Sequence, residues 1–460
     1  MAKSNGEPLL PQLRRLQFYV SLTNPTGLLL FLSPTITYLR LYLISHVRVE
    51  VLQLDRSSVG STPRATSVVP STKSELSVLT QGFIQLVIPQ VPRVVFLEIG
   101  GLDIRVPSST FSSLSSLDGV KDLRLGLPLD THGLHALSHM RSLTSLTIRL
   151  IGIEDEPTSF FGDGFRNVTV LWLAGSITSC SRMLKMASFP SLRTAEFQAD
   201  PINDTDSFQQ AFADICASLP PQSLECISLT TVPRKQGGRF NVLFTPLLEA
   251  LKSLISLNDF TLDFEEDTRT MIHVSDEDIK AVAATWPNIV KFYVSVSPHI
   301  QLNERSFDRS NGGHFPLPSL YSLLVIARHC PELHHLNIPA IALPQRHPSN
   351  NNDAAPFNTL ASDLISLARV SPKNDRLKSL WVDHLVGDTT YRSLLAVALL
   401  FDTLFPNLGI PDAAARDELA STSISKWFTD VSYTDMSEIA STLLVSIRAG
   451  RKGGFQVSLP

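Results

Sequence analysis

Trp286-Pro287-Asn288-Ile289-Val290-Lys291-Phe292-Tyr293-Val294 is the stretch on which the reading of the fold turns. A proline follows a large apolar residue. Behind it come Ile289, Phe292 and Val294, in the order apolar, two variable, apolar, one variable, apolar. Proline cannot continue a helix, and its φ suits a turn into extended chain. The closing apolar–variable–apolar triplet has the period of a strand with one buried face. The unit therefore reads as helix end, proline stop, short strand.

The same entry opens Pro11-Gln12-Leu13, Pro92-Arg93-Val94, Pro190-Ser191-Leu192 and Pro331-Glu332-Leu333. The apolar triplet recurs about a dozen times. It runs from Leu13, Leu16, Phe18 and Ile36, Leu39, Leu41 through Val94, Leu97, Ile99, then Val120, Leu123, Leu125 and Leu143, Leu146, Ile148. The last copies are Leu333, Leu336, Ile338 and Leu377, Leu380, Val382. Copies lie about 23–26 residues apart in the first half and about 31–44 later, the shorter interval falling in the leucine-rich-repeat range of about 20–29. The intervening segments have helical spacing, as in Ser207 to Leu219, Thr245 to Ile255, Leu320 to His329 and Leu360 to Val370. Ser275 stands as the N-cap of another helix, with Asp276, Glu277 and Asp278 suited to its dipole.

These features predict an α/β leucine-rich-repeat solenoid over residues 1–410, a curved stack with a mostly parallel inner sheet and outer helices. Ser57 to Thr72 and Ala342 to Pro356 read as loops that leave the stack, and one strand is expected to be missing between Ile36 and Val94. Residues 411–460 lose the motif. Asp417 to Arg448 looks helical, and the segment is expected to cap the stack.

Composition narrows the function classes. Of 460 residues, 43% are hydrophobic and 18% charged, which argues for an ordered chain. A formal net charge of −4 offers no overall basic field for nucleic acid, and no such partner is expected. Cys180, Cys216, Cys226 and Cys330 stand apart with no C-x-x-C pair, as in a reducing compartment. Met1 to Leu10 has no apolar signal segment, and the apolar runs Gly27 to Ile44 and Leu394 to Phe405 are interrupted or too short for a bilayer. The expectation is a cytoplasmic or nuclear protein without a membrane partner.

Catalytic motifs are also missing. There is no Gly-Lys-Ser/Thr phosphate loop, no H-E-x-x-H and no G-x-S-x-G, and Gly162-Asp163-Gly164 lacks a third glycine. His132, His135 and His139 have the spacing of metal ligands on one helix face, but a solvated face explains them as well. His329, Cys330, His334 and His335 flank Pro331 as ordinary repeat residues. The acids Asp263, Glu265, Glu266 and Asp267 precede Asp276, Glu277 and Asp278 without a calcium-loop pattern. The reading is therefore a non-enzyme, with no catalytic residue, metal, cofactor or small-molecule substrate.

Strand alternation leaves a set of outward side chains. It includes Arg15, Gln17, Tyr19, Tyr38, Phe96, Glu98, Asp122, Thr147, Glu196, Lys291 and Asn337. The residues chosen for partner binding on the concave face are Arg40, Tyr42, Arg124, Arg149, Trp172, Tyr293 and Trp381, types enriched at interface hot spots. Arginines 15, 40, 124 and 149 come early, whereas Asp259, Asp263 and Asp383 come late. A protein partner with the opposite order of charge is favoured.

The Pro-x-Leu-x-x-Leu-x-Leu units, carried best by Pro11 to Phe18, Pro190 to Phe197, Trp286 to Val294 and His329 to Ile338, resemble the repeat region of fungal F-box proteins. The resemblance covers about residues 9–410. It implies a substrate-recognition subunit of a cullin-based ubiquitin ligase, holding a protein substrate. The first repeat begins within about ten residues of Met1, with no Leu-Pro-x-Glu-type helical segment before it. The expectation is a lost F-box or a piece of a longer chain, with the cullin adaptor a partner only if an F-box lies upstream. The competing reading is a leucine-rich scaffold or inhibitor unrelated to ubiquitin.

Overall fold

A computed structural model describes residues 9–22, 26–44, 73–101, 104–153, 164–201, 204–231, 240–264, 270–296, 317–343, 355–386 and 391–408. The chain divides into two compact units, Met1–Arg193 and Thr194–Pro460. The loop expected at 57–72 and the cap expected beyond 411 lie outside the described residues, as do Glu265 to Asp267 and the side chain of Asp383.

In the first unit the strands are β1 (Arg15–Ser21), β2 (Tyr38–Ile44), β3 (Phe96–Gly100), β4 (Asp122–Leu129), β5 (Ser145–Leu150) and β6 (Val170–Gly175). The helices are α1 (Thr26–Leu29), α2 (Lys73–Val87), α3 (Ser109–Leu114), α4 (Thr131–Ser138) and α5 (Ile177–Met186). Neighbouring strands pair in parallel in chain order. β2 pairs directly with β3, Leu39 opposite Leu97, so no strand lies between them despite the long interval, as the spacing predicts.

The second unit holds β7 (Thr194–Ala199), β8 (Cys226–Thr231), β9 (Phe240–Leu243), β10 (Asp259–Phe264), β11 (Thr270–His273), β12 (Lys291–Val296), β13 (His335–Ala342) and β14 (Ser379–Val386). Its helices are α6 (Thr205–Ser218), α7 (Phe244–Leu251), α8 (Asp276–Thr285), α9 (Leu320–His329), α10 (Ala355–Val370) and α11 (Tyr391–Leu404). Strands β7, β8, β10, β12, β13 and β14 pair in parallel in that order. β9 and β11 form a separate two-stranded parallel sheet. Parallel neighbours need a long crossover, and helices supply most of these.

One local device repeats at the strand entries. In most motifs, Leu224 and Leu377 excepted, the first apolar residue donates its backbone N–H to the carbonyl three residues back, closing the entry turn. Examples are Leu13 to Leu10, Val94 to Val91, Leu192 to Phe189, Ile289 to Trp286 and Leu333 to Cys330, at 3.0–3.2 Å. The next strand is tied on by a single carbonyl that accepts two N–H groups. Val95 O takes those of Lys121 and Asp122, and Lys121 O takes those of Thr144 and Ser145. Asn258 O and Val290 O do the same in the second unit. Side chains reinforce the link: Trp286 Nε1 donates to Leu254 O at 2.8 Å, and Asn374 Nδ2 to Cys330 O at 2.8 Å.

Inward positions fill the cores. Leu97, Leu146, Leu171 and Leu336 are each 0% exposed, so the strand register is the one read from alternation. Phe244, Phe260 and Phe292 pack ring to ring in the second unit at 5.6–6.0 Å. Gly101 (φ +101°) and Gly175 (φ +141°) leave β3 and β6 in a left-handed backbone where a Cβ would sit 2.4 Å from Leu43 O and 2.9 Å from Leu150 O. Only glycine fits there.

Two readings need correction. α10 begins at Ala355, inside the expected loop 342–356 and ahead of Leu360, because Pro356 is tolerated in a helix's first turn. Asn337, expected to point to solvent, is 1% exposed: Tyr293 and Trp381 stand opposite it on both neighbouring strands and shade its short side chain. Within the expected 1–410 span, one more entry turn follows Leu377. Leu408 closes another proline turn on Phe405, and Asn407 Nδ2 reaches Asp375 O at 3.0 Å, as Asn167 Nδ2 reaches Arg141 O at 2.8 Å.

Candidate interaction surface

Alternation puts every second residue of β1 to β6 on the face away from the core, and register aligns them in rows. The first row runs Arg15, Tyr38, Phe96, Asp122, Ser145, Val170; the second runs Gln17, Arg40, Glu98, Arg124, Thr147, Trp172. Tyr19 and Tyr42 face each other one step further along.

The aromatic and guanidinium groups on β1 to β4 form one cluster. Tyr38 and Phe96 stack with centroids 4.3 Å apart and an interplanar angle of 6°. Arg15 lies over the Tyr38 ring at 5.8 Å and Arg124 over Phe96 at 5.2 Å. Tyr19 and Tyr42 stack at 5.0 Å. Arg40 sits among Tyr38, Tyr42 and Phe96 at 5.8–5.9 Å and donates from Nε to Glu98 at 2.7 Å. Desolvation works against the Arg40 charge, but Glu98, Tyr38 and Tyr42 outweigh it and hold its pKa above the ordinary value. Desolvation, then Glu98, raises the Tyr42 phenol. Arg124 is anchored by Asp122 at 3.2 Å.

Tyr38 and Phe96 present ring edges between guanidinium groups, because stacking occupies their faces. Ring edges carry partial positive charge. The rings and charged groups are ordered by their neighbours before any partner arrives, which reduces the ordering cost of binding. Tyr19 remains 63% exposed, a large hydrophobic side chain held open at the rim of the cluster.

The chosen contact residues divide between the units. Arg40, Tyr42 and Arg124 belong to the cluster. Arg149 and Trp172 lie on the same face of the first unit, Arg149 exposed and Trp172 half-buried opposite Thr147. Tyr293 and Trp381 lie in the second unit, where Lys291 stands 5.8 Å from the Tyr293 ring and 3.6 Å from Asp259, and Trp381 is 38% exposed. Sequence reading placed Tyr19, Tyr38 and Phe96 outward without assigning them to the contact. Their signal was aromatic residues at matching strand positions, a coincidence that counts only once register makes them neighbours.

The other candidates do not converge. His132, His135 and His139 lie on the exposed side at α4, with the last two rings 5.0 Å apart edge to face. His329 is exposed, Cys330 is buried, and His335 Nδ1 lies 2.6 Å from Ser379 Oγ. Asp276 accepts hydrogen bonds from Ser319 and Ser322, and Asp278 closes the N-terminal cap of α8. Among the described residues, no three His, Cys, Asp or Glu side chains gather as metal ligands. Burial pushes the Cys226 thiol up to about 12, helped by Asp259 and Glu196, so it is protonated near neutrality. Among the described residues, no helix is long and apolar enough to cross a membrane. No family model and no curated protein sequence matches this chain.

Proposed function

We propose that the chain is a leucine-rich-repeat solenoid whose exposed sheet face holds another protein. The solenoid reading is supported by the recurring turn and two-donor carbonyl at most strand entries, and by parallel pairing in chain order among the main strands. The binding reading rests on one observation: the ordered cluster of Tyr19, Tyr38, Tyr42, Phe96, Arg15, Arg40 and Arg124 on the face of β1 to β4. Tyrosine and arginine are the residue types whose truncation costs most at protein interfaces. By its resemblance to F-box repeat regions, the chain acts as the substrate-recognition region of a ubiquitin ligase subunit.

The test is cross-linked capture from cells with the wild-type chain and with Tyr38→Ala/Phe96→Ala/Arg124→Ala, each checked for an unchanged melting curve. Partners cross-linked to the wild type should be lost from the variant. With a purified partner, each anchor truncation should weaken binding by about 2 kcal/mol, roughly thirtyfold. An unchanged partner set refutes the chosen face. A partner whose ubiquitylation and lifetime stay the same when the chain is depleted refutes the ligase role and leaves a scaffold.

A further inference from the structure

The two units carry opposite charge. Met1–Arg193 has 18 Lys and Arg against 13 Asp and Glu, a net of +5, whereas Thr194–Pro460 has 21 against 30, a net of −9. In the first unit much of the excess gathers at the strand entries. Arg14, Arg93, Lys121, Arg141, Arg166 and Arg193 are all exposed and all belong to the turns, or to the residue just after them, that lead into β1, β3, β4, β5, β6 and β7. Asp118 is the carboxylate at the corresponding turn positions of this unit, and Asp122, the next acid along, already holds Arg124. Among the described residues, Arg14, Arg93, Lys121, Arg141 and Arg166 form no ion pair. The corresponding positions of the second unit mix signs, with Glu225, Glu332, Asp375, Arg376 and Lys378.

We propose that this basic rim binds an extended acidic segment of a protein partner, running across the turns. Parallel strands stand about 4.8 Å apart, so the entries to β1 through β6, with five of these cations, span about 24 Å, the length of roughly seven extended residues. Carboxylate fits such a rim, since five of the six cations are arginines, whose planar fork pairs with it in two hydrogen bonds. Single-stranded nucleic acid fits less well. It needs open ring faces to stack on, and the faces of Tyr38 and Phe96 beside the rim are taken by each other and by Arg15 and Arg124. The inference shares with the sheet-face reading only the premise that the partner is a protein.

The experiment measures fluorescence anisotropy of a labelled twelve-residue oligoglutamate, and of a twelve-nucleotide oligouridylate, against the full chain. The peptide should bind, and binding should weaken at least tenfold between low and moderate salt. Arg93→Glu/Arg141→Glu/Arg166→Glu should reduce it at least tenfold. Arg328→Glu/Arg369→Glu/Lys373→Glu, an equal reversal at exposed positions of the second unit, should change it less than twofold. No peptide binding, equal losses in both variants, or tighter binding of the oligouridylate overturns the proposal. A partner captured through the sheet face separates the two claims. Full affinity in the rim variant with loss in the Tyr38/Phe96/Arg124 variant sinks the rim alone. Loss in the rim variant with full affinity in the other sinks the face alone. Loss in both is the expected result.

Discussion

Leu146 and Thr147 are neighbours in β5 with opposite surroundings, the first wholly buried and the second half-exposed between Arg124 and Trp172. Leu146→Ala should cost about 2–5 kcal/mol, because a cavity is left in a close-packed core. Thr147→Ala should stay within about 0.5 kcal/mol. Equal shifts in urea midpoints would mean that the two faces are assigned the wrong way round. His273 makes a second residue-scale case. It is 5% exposed at the end of β11, with Nε2 3.3 Å from Asn241 Oδ1, and burial lowers its pKa to about 4. An unfolded imidazole titrates near 6.5. Between the two values the unfolded chain binds the extra proton, so stability falls as pH drops from about 6.5 to about 4, then levels off. The loss is at most about 3 kcal/mol. His273→Gln should flatten this part of the curve, and an unchanged slope in its urea midpoints would show that other groups set it.

At the scale of the element, the N-terminus of α8 is closed from both sides. Ser275 Oγ accepts from Asp278 N–H, while Asp278 Oδ2 accepts from Ser275 N–H and Oδ1 from Thr245 Oγ. Ser275→Ala should cost about 1 kcal/mol. Asp278→Ala should cost more, about 2–3 kcal/mol, since it also strands the Thr245 hydroxyl and the Ser275 amide. Thermal melts showing the reverse order would refute this division of roles. The cap and α9 were legible because their signals are local: a serine before three acids, and apolar residues at helical spacing between Ser319 and Pro331. β9 and β11 were not. Each has four residues, and nothing local marks Phe240 to Leu243 as the partner of Thr270 to His273 about thirty residues on.

For the molecule as a whole, the proposed solenoid and a closed barrel share strand order and pairing but differ in extent. A compact globule of 460 residues would have a radius of gyration of about 23 Å. An open stack should exceed that clearly in small-angle scattering, with an asymmetric distance distribution. A value near the globular one would argue for closure. The opposite charges of the units have a consequence at this scale too. Ionic strength should weaken any partner that meets the first unit's basic rim, since exposed charge is screened within about 10 Å at 0.1 M salt.

The sequence by itself determined the repeat. Proline after a helix end and apolar residues at fixed offsets dictate turn, strand and buried face through constraints that act within ten residues, and Leu97, Leu146, Leu171 and Leu336 lie where they require. Those constraints also name which side chains leave the core. They say nothing of what such side chains meet next. Tyr38 stacks on Phe96 across 58 positions of sequence, and Arg40 binds Glu98 across as many, only because β2 pairs with β3 over the long interval between them. Asn337 is hidden by rings on two other strands. Contacts between repeats depend on register, and register is a property of the packed sheet.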